Sequence, residues 1–271
     1  MHFDAHVHSA ASPDSELDPY EAIHILKSKG MGVAFTEHAD FVTPKTGRDM
    51  NATDCPKAGK DFICDFEIYP SQYRSIKAEY SDHVLLGIEL GLTAAFLPLN
   101  TQIADNNLDF VLGAIHHVDG HDVYGEAASM DAREFCSRYL TYGKEMVEIC
   151  GFFDSFAHID YVARYSPKIN RIFYYKNFKK EFDGLLLALA ERELALEINT
   201  SRFGDDNVVG QLTPIYKRFK ELGGKYVTIG SDSHGGWGLG RHYAKAIGLA
   251  DMAGLVPVYY RGRERFLCQK G

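Results

Sequence analysis

The sequence has few cysteines, and their spacing suits neither disulfides nor a thiolate metal site. Its 271 residues include five cysteines, an odd number, and no two of them have the CxxC spacing. A disulfide framework is therefore not expected, and reduced thiols in the cytoplasm fit better. The scatter of these thiols also argues against a closed structural zinc site built on clustered cysteine.

Long apolar segments are also absent from the sequence. No stretch reaches the roughly 18 consecutive apolar residues that a membrane-spanning helix needs. The first residues lack the basic region and apolar run of a signal peptide. We therefore expect a cytoplasmic protein without a membrane partner.

Positive charge is not in excess. The formal net charge is −8, which argues against binding of long nucleic acid, because that usually needs a basic surface. A small anionic substrate needs only a local positive site and is not excluded. Apolar residues make up 45% of the chain and charged residues 24%, as in ordinary globular proteins. We expect residues 1–271 to form a single domain with one sizeable core.

Short apolar segments alternate with helical patterns about seven times. The predicted strands are residues 3–7, 32–35, 84–89, 109–115, 155–159, 195–198 and 226–230. The predicted helices are residues 19–29, 65–80, 130–150, 175–192, 211–222 and 243–253. This alternation is typical of parallel strands joined by helices, and seven short strands favour an α/β barrel over an open sheet.

Two further segments lie outside this pattern. Residues 41–64 form a polar stretch that is too long for an ordinary connection, so we expect a lid or substrate loop. The tail from Arg261 is charged, and we expect it at the surface.

Imidazole or carboxylate side chains stand at the ends of six of the seven predicted strands. They are His6 and His8 after the first strand, His38 after the second, Glu89 at the third, His116 and His117 after the fourth, His158 after the fifth, and Asp232 and His234 after the seventh. In barrels these strand ends meet on one face, where the chemistry takes place. Side chains two residues apart in a strand share a side, so His6 and His8 can converge on one point. The sequence therefore predicts a metal centre.

The residue types indicate which metals and which chemistry. Neutral imidazoles and carboxylates suit Zn, Mn or Fe. There are more potential ligands than one ion needs, and a carboxylate such as Glu89 can bridge two ions with its two oxygens. Two ions about 3.5–4 Å apart can hold a hydroxide and promote an in-line displacement at phosphorus.

Four segments resemble the signature motifs of the polymerase and histidinol phosphatase (PHP) superfamily. They are residues 4–9, 35–40, 116–117 and 230–234. The resemblance covers nearly the whole chain. It implies a distorted (β/α)₇ barrel of the TIM-like kind, with up to three divalent metals (Zn, Mn or Fe) at the C-terminal ends of the strands.

The resemblance also implies a set of ligands. One metal would be held by His6, His8, Glu89 and Asp232, the second by Glu89, His116 and His158, and the third by Asp14, His38 and His234. Asp14 stands where relatives often carry histidine, so the occupancy and identity of the third metal stay open.

Within the superfamily, residues 158–165 and 197–202 resemble the monofunctional histidinol-phosphate phosphatases. The resemblance implies hydrolysis of L-histidinol phosphate to L-histidinol and phosphate in histidine biosynthesis, by attack of a metal-bridging hydroxide on phosphorus. Arg164 and Arg202 follow the fifth and sixth strands. Their two guanidinium forks suit a phosphate monoester dianion.

Several roles stay open. Asp40, His117 and Asp160 are candidates for proton transfer or substrate contact, and Glu37 is a candidate for orienting a ligand imidazole. One alternative function is a PHP-type nucleotide or oligonucleotide phosphoesterase, and another is a metal-binding barrel without activity. The sequence predicts no oligomeric state.

Overall fold

A computed structural model describes residues 1–41 and 69–269. Nearly all of the predicted lid segment, with Cys55 and Cys64, lies outside the described residues. The described strands are β1 (His2–Val7), β2 (Met31–Ala39), β3 (Val84–Gly91), β4 (Phe110–Ala114), β5 (His117–Val118), β6 (His121–Asp122), β7 (Ser155–Phe156), β8 (Ala195–Asn199), β9 (Tyr226–Gly230), β10 (Val256–Arg261) and β11 (Glu264–Leu267). The described α-helices are α1 (Pro19–Ser28), α2 (Tyr69–Glu79), α3 (Leu97–Ala104), α4 (Val123–Glu126), α5 (Ala132–Ile149), α6 (Tyr161–Arg164), α7 (Pro167–Asn170), α8 (Lys179–Glu191), α9 (Asp206–Glu221) and α10 (Tyr243–Ala253).

Local sequence signals explain where the helices begin. Asp18 accepts a hydrogen bond from the backbone N–H of Glu21, and Pro19 occupies the first turn of α1. Asp131 caps α5 by accepting hydrogen bonds from two backbone N–H groups of its first turn. None of the described helices combines the length and the apolarity needed to cross a membrane.

The seven predicted strands form a parallel sheet in the order β1-β2-β3-β4-β7-β8-β9. The sheet curves until its ends meet, where the backbone N–H of His8 donates to Ser233 O at 2.9 Å and that of Asp232 to His6 O at 2.8 Å. In the described chain a single bridge, Val7 to Ser233, joins the two ends. The barrel-like parallel arrangement is as predicted, but continuous strand pairing does not close it.

A C-terminal hairpin lies at the end of the barrel opposite the predicted metal centre. β10 pairs in parallel with the start of β9, and β11 pairs antiparallel with β10. Tyr260 stacks on Phe110, the first residue of β4, with ring centroids 5.4 Å apart. Arg263 donates to Asp154, just before β7, at 2.7 Å. The tail from Arg261 lies at the surface, as predicted, since none of residues 261–269 is buried. It also forms part of the anchored hairpin, which the sequence did not predict.

Two apolar clusters lie on the two faces of the sheet. The larger one joins the strands to the surrounding helices. The smaller one contains no helix residue and combines alternate strand residues with Val258 and Tyr260 of β10, so it fills the interior of the barrel. Phe3 and Ala5 of β1 belong to this interior cluster.

A β-bulge in β1 changes the alternation of its side chains just before the predicted ligands His6 and His8. Between the paired residues Asp4 and Val7, β1 advances three residues while β2 advances two, which is the signature of a β-bulge. Ala5 belongs to the interior cluster, and His6 beside it also faces the interior, where it bonds Glu197. In a regular strand these neighbours would face opposite sides. The bulge therefore lets one strand fill the core and still present His6 at the site.

Candidate metal centre

Four side chains at the C-terminal ends of β1, β3 and β9 bring a nitrogen or an oxygen to one place. His6 Nε2 and His8 Nε2 lie 3.1 Å apart. Glu89 Oε2 is 3.3 and 3.4 Å from these nitrogens, and Asp232 Oδ1 is 3.6 and 3.5 Å from them. In a tetrahedral site with bonds of about 2.0–2.1 Å, ligand atoms lie about 3.3–3.4 Å apart. The four atoms, called the first cluster, therefore have the spacing of one coordination shell.

The other oxygen of Glu89 belongs to a second cluster. Glu89 Oε1 lies 2.7 Å from His158 Nε2 and 3.3 Å from His116 Nε2. The two ring nitrogens are 3.4 Å apart. Glu89 thus has one oxygen in each cluster, the arrangement of a carboxylate that bridges two ions.

A third cluster lies nearer the surface. Asp14 Oδ2 is 2.9 Å from His234 Nε2 and 3.4 Å from His38 Nε2. The ring of His8 stacks on both imidazoles, with centroids 4.1 and 4.2 Å away. The side chains of Asp14 and His234 are 31% and 32% exposed, whereas those of the first cluster are at most 8% exposed. The third cluster is therefore the most accessible to water.

His38 connects the three clusters. Its Nδ1 lies 3.0 Å from Glu89 Oε2 and 3.2 Å from Asp40 Oδ2. Ring nitrogens of His8, His38 and His234 also approach one another within 4.8 Å. The nine predicted ligands therefore form one continuous group.

Carboxylates behind the clusters hold two of the imidazoles. We assign the Nδ1 proton of His6 to a hydrogen bond with Glu197 Oε1 at 2.7 Å, and that of His116 to Asp40 Oδ1 at 2.7 Å. The second oxygen of Glu197 accepts the backbone N–H of His158 at 2.7 Å. An imidazole that donates through Nδ1 has its Nε2 lone pair free for a metal. These contacts therefore aim the Nε2 atoms at the clusters.

Charges within the centre shift the pKa values of its members. Burial by itself would raise the pKa of Glu89, but His6, His116 and His38 lower it well below its usual value. Burial would lower the pKa of His116, but Asp40 and Glu89 raise it to about 10. In the metal-free chain, protons on imidazoles thus balance the carboxylates, and bound cations would take over that role.

The residues present fit divalent metal ions. Glu89 Oε2 is buried and accepts no hydrogen bond from the described residues, although nitrogens of His6, His8 and His38 lie 3.0–3.4 Å away. Leaving a buried carboxylate oxygen without a hydrogen bond is costly. A cation bound to Glu89 Oε2 in the first cluster would remove that cost. The donor set of imidazoles and carboxylates is the one that Zn, Mn and Fe take.

Arg164, at the end of α6, has spare donors beside the first cluster. Its Nη1 lies 2.5 Å from Asp232 Oδ2. Its Nε and Nη2 atoms are buried and have no hydrogen-bond partner among the described residues. Burial would lower the pKa of Arg164, but Asp232 and Asp160 raise it, so the guanidinium stays charged. Two buried nitrogen donors, which carry three N–H bonds between them, are thus available to an anion.

Arg202 is held more firmly by its neighbours. Its Nη1 donates to Asp160 Oδ2 and its Nη2 to Asn170 Oδ1, each at 2.7 Å. Gln211 in turn donates to Asn170 O at 2.7 Å. The orientation of the Arg202 guanidinium is therefore fixed by α7 and the loop before α6.

The three side chains with open roles have different surroundings. Asp40 is buried and bonds His116, and Asp160 is buried and bonds Arg202. His117 is half-buried in β5, and burial lowers its pKa. His117 belongs to none of the metal-type groups formed by the described residues.

Sequence reasoning missed Glu197, in the sixth predicted strand, as the partner of His6. A signal was present, because an acid within a buried apolar strand needs a partner. It also missed Tyr161, whose ring lies against His116 and His158 with centroids 4.7 and 4.8 Å away. No sequence signal identifies that contact, which depends on the fold.

Comparison with known proteins gives a family match. The PHP domain family matches residues 4–201 of this chain. A "Probable histidinol-phosphatase" from Clostridium acetobutylicum is 34% identical over 266 residues, which cover 97% of this chain and 98% of that protein. A "Histidinol-phosphatase" from Lactococcus lactis is 32% identical over 238 residues, which cover 85% of this chain and 83% of the relative.

A solved structure is also similar. The histidinol phosphate phosphatase of Lactococcus lactis, crystallised with zinc, L-histidinol and phosphate, superposes with a TM-score of 0.84. The two chains are 29% identical, and the match covers 98% of each. The similarity therefore extends over the whole fold.

Proposed function

Because this chain belongs to the PHP domain family, we propose that it is a divalent-metal-dependent phosphomonoesterase that hydrolyses L-histidinol phosphate to L-histidinol and phosphate. Its relatives from two bacteria bear the name histidinol-phosphatase. The similar Lactococcus structure contains zinc, L-histidinol and phosphate. The observation that carries the proposal in this chain is Glu89, whose two oxygens lie in two adjacent ligand clusters beside Arg164.

The clusters give each ligand a role. His6, His8, Glu89 and Asp232 would hold one ion, Glu89, His116 and His158 a second, and Asp14, His38 and His234 a third. When bound, such ions polarise the phosphate ester and lower the pKa of a water molecule that attacks phosphorus. Zinc has the support of the Lactococcus structure, while Mn or Fe and the count of three rest on the donor set.

The arginines would bind the phosphate group. Arg164 offers two buried nitrogen donors, and Arg202 is oriented by Asp160 and Asn170. Paired guanidinium groups stabilise the negative charge that the phosphate oxygens carry in the transition state. Asp160 and Asp40 each orient another site residue, so we infer positioning roles for them. His117 stays a candidate for proton transfer to the leaving group or for substrate contact.

The test is phosphate release from a panel of esters by the full chain loaded with Zn or Mn. The panel contains L-histidinol phosphate, AMP, p-nitrophenyl phosphate and a short oligonucleotide. We expect the highest kcat/KM for L-histidinol phosphate. A tenfold preference for AMP or the oligonucleotide would instead support the nucleotide phosphoesterase.

A matched pair of variants separates the site from the rest of the molecule. Glu89→Gln removes the bridging carboxylate, and we expect it to abolish turnover and reduce bound metal. Glu145→Gln changes an exposed acid of α5 that pairs with Arg138, and we expect normal turnover. No turnover of any ester by the metal-loaded wild type would favour the barrel without activity.

Cytoplasmic location is part of the proposal. It rests on the odd number and scattered spacing of the cysteines and on the free thiols of the described ones, Cys136, Cys150 and Cys268.

A further inference from the structure

Glu37 is a buried acid directly before the ligand His38, and the proposed reaction does not use it. Its side chain is fully buried. Oε1 accepts from Ser9 Oγ at 2.5 Å and Oε2 from Ser12 Oγ at 2.6 Å. The backbone N–H of Ser9 also donates to this carboxylate, at 3.1 Å. The hydrogen bonds of Glu37 therefore come from two neighbouring serines.

The hydroxyl of Ser12 connects Glu37 to the metal centre. Ser12 Oγ accepts the backbone N–H of His38 at 3.0 Å and lies 3.3 Å from His8 Nδ1. A hydroxyl has one proton to donate and two lone pairs to accept with. Because that proton is directed to Glu37, Ser12 can only accept from His8. His8 must therefore carry its proton on Nδ1.

This proton placement decides which nitrogen of His8 is free. With Nδ1 protonated, the lone pair is on Nε2, the atom that lies 3.1 Å from His6 Nε2 in the first cluster. If Ser12 turned its proton toward His8, Nδ1 would become the acceptor and Nε2 would carry a hydrogen. A protonated Nε2 cannot bind a metal.

We propose that Glu37 is a positioning residue that acts through the hydroxyl of Ser12 to keep the proton of His8 on Nδ1, so that Nε2 can bind the metal. The inference depends on the proposed function only in taking the first cluster as a metal site. It does not depend on the substrate.

The neighbouring ligands support this interpretation. His6 has Glu197 at its Nδ1, and His116 has Asp40, each in direct contact at 2.7 Å. The ring of His8 packs against two other imidazoles, and a serine lies between His8 and its carboxylate. The longer contact of 3.3 Å predicts a weaker effect than that of the direct pairs.

Ser9 and Ser12 provide a matched pair of variants. Both hydroxyls donate to Glu37 at similar distances, but of the two only that of Ser12 lies within hydrogen-bond distance of the His8 ring. Zinc affinity of the full chain would be measured by competition with a chelator. We expect Ser12→Ala to weaken one site by up to about 10-fold, at the lower end of the range for partners of ligand imidazoles, Ser9→Ala to change it little, and Ser12→Thr to restore it.

A second variant and a spectroscopic signal complete the test. Glu37→Gln keeps the volume of the side chain, but its amide can donate to Ser12 and release the hydroxyl proton toward His8, so we expect it to weaken the same site. In the zinc-loaded protein, the Nδ1–H proton resonance of His8 should be retained in Ser9→Ala and Ser12→Thr. In Ser12→Ala it should shift and exchange faster with water.

Two results would overturn the inference: equal losses of zinc affinity in the two serine-to-alanine variants, or an unchanged His8 resonance in Ser12→Ala. Both measurements can be made without any ester. A failure of the proposed substrate would therefore leave the role of Glu37 testable on its own.

Discussion

Glu197 joins two ligands of different clusters, because one oxygen accepts from His6 Nδ1 and the other from the backbone N–H of His158, each at 2.7 Å. All three residues are buried. The carboxylate thus sets the ring orientation of His6 and the position of the chain that carries His158. It therefore links the first and second clusters through atoms that do not face the metal sites, whereas Glu89 links them through one oxygen in each cluster.

We expect Glu197→Gln to reduce zinc affinity by about 10- to 100-fold, because partners that orient ligand imidazoles typically contribute that much. The measurement is metal content after dialysis against a graded chelator. The control is Glu193→Gln, which changes an exposed acid that pairs with Lys225. Equal metal retention in the two variants would show that the contact with His6 has no role in metal binding.

Zinc binding should release protons in mildly alkaline solution. A metal ligand must be a neutral imidazole, and the pKa of His116 in the metal-free chain is raised to about 10. We therefore expect zinc affinity to rise with pH between about 7 and 9, by up to about tenfold per pH unit. Proton uptake by a weakly buffered indicator measures this release, and the same experiment at pH 8 on Asp40→Asn should yield fewer protons.

The same raised pKa predicts the stability of the metal-free chain. The folded protein binds the proton of His116 more tightly than the unfolded chain, whose imidazole has its usual pKa of 6.5. Its contribution is therefore complete below about pH 6.5 and is lost as pH rises toward 10. In Asp40→Asn this loss should be smaller, which chemical denaturation at several pH values can measure.

The two arginines should respond differently to substitution. Arg202→Ala removes a guanidinium that would bind the phosphate group, so we expect a loss of about 10- to 100-fold in kcat/KM. Bound metal should be unchanged, because Arg202 bonds Asp160 and Asn170 and these are not proposed metal ligands. Arg164→Ala should lower both turnover and metal retention, because Arg164 also bonds the ligand Asp232. Kinetics and metal analysis together test this contrast, with Arg218→Ala on the surface of α9 as the control. Loss of metal in Arg202→Ala would contradict it.

The exposed third cluster should lose its ion first. We expect Asp14→Ala to retain the ions of the first and second clusters and to lose one ion, whereas Asp14→His should keep it. The reason is that Asp14 supplies the carboxylate of this cluster, between His38 and His234. Metal analysis of the purified variants decides the point. Three retained ions and full activity in Asp14→Ala would remove Asp14 from the ligand set.

The sequence predicted the parallel strands and the residues at their ends because both depend on local patterns. Apolar segments identify buried strands, and polar residues that follow them identify the C-terminal face. The contacts behind the ligands depend on distant segments: Glu197 is 191 residues from His6, and no periodicity connects them. The β-bulge in β1 could not be predicted either, because it is defined by the pairing with β2, in which three residues of β1 advance against two of β2.

The interior of the barrel also determines how molecules enter and leave. Phe3, Phe110 and the other residues of the interior cluster fill the space between the strands, and the β10–β11 hairpin covers its far end. Among the described residues the interior below the metal centre is filled, so we expect substrate and both products to enter and leave on the side of the metal centre that faces away from this cluster. If phosphate is bound deepest, by Arg164 and the metals, the alcohol departs first and phosphate last. Inorganic phosphate should then act as a competitive product inhibitor.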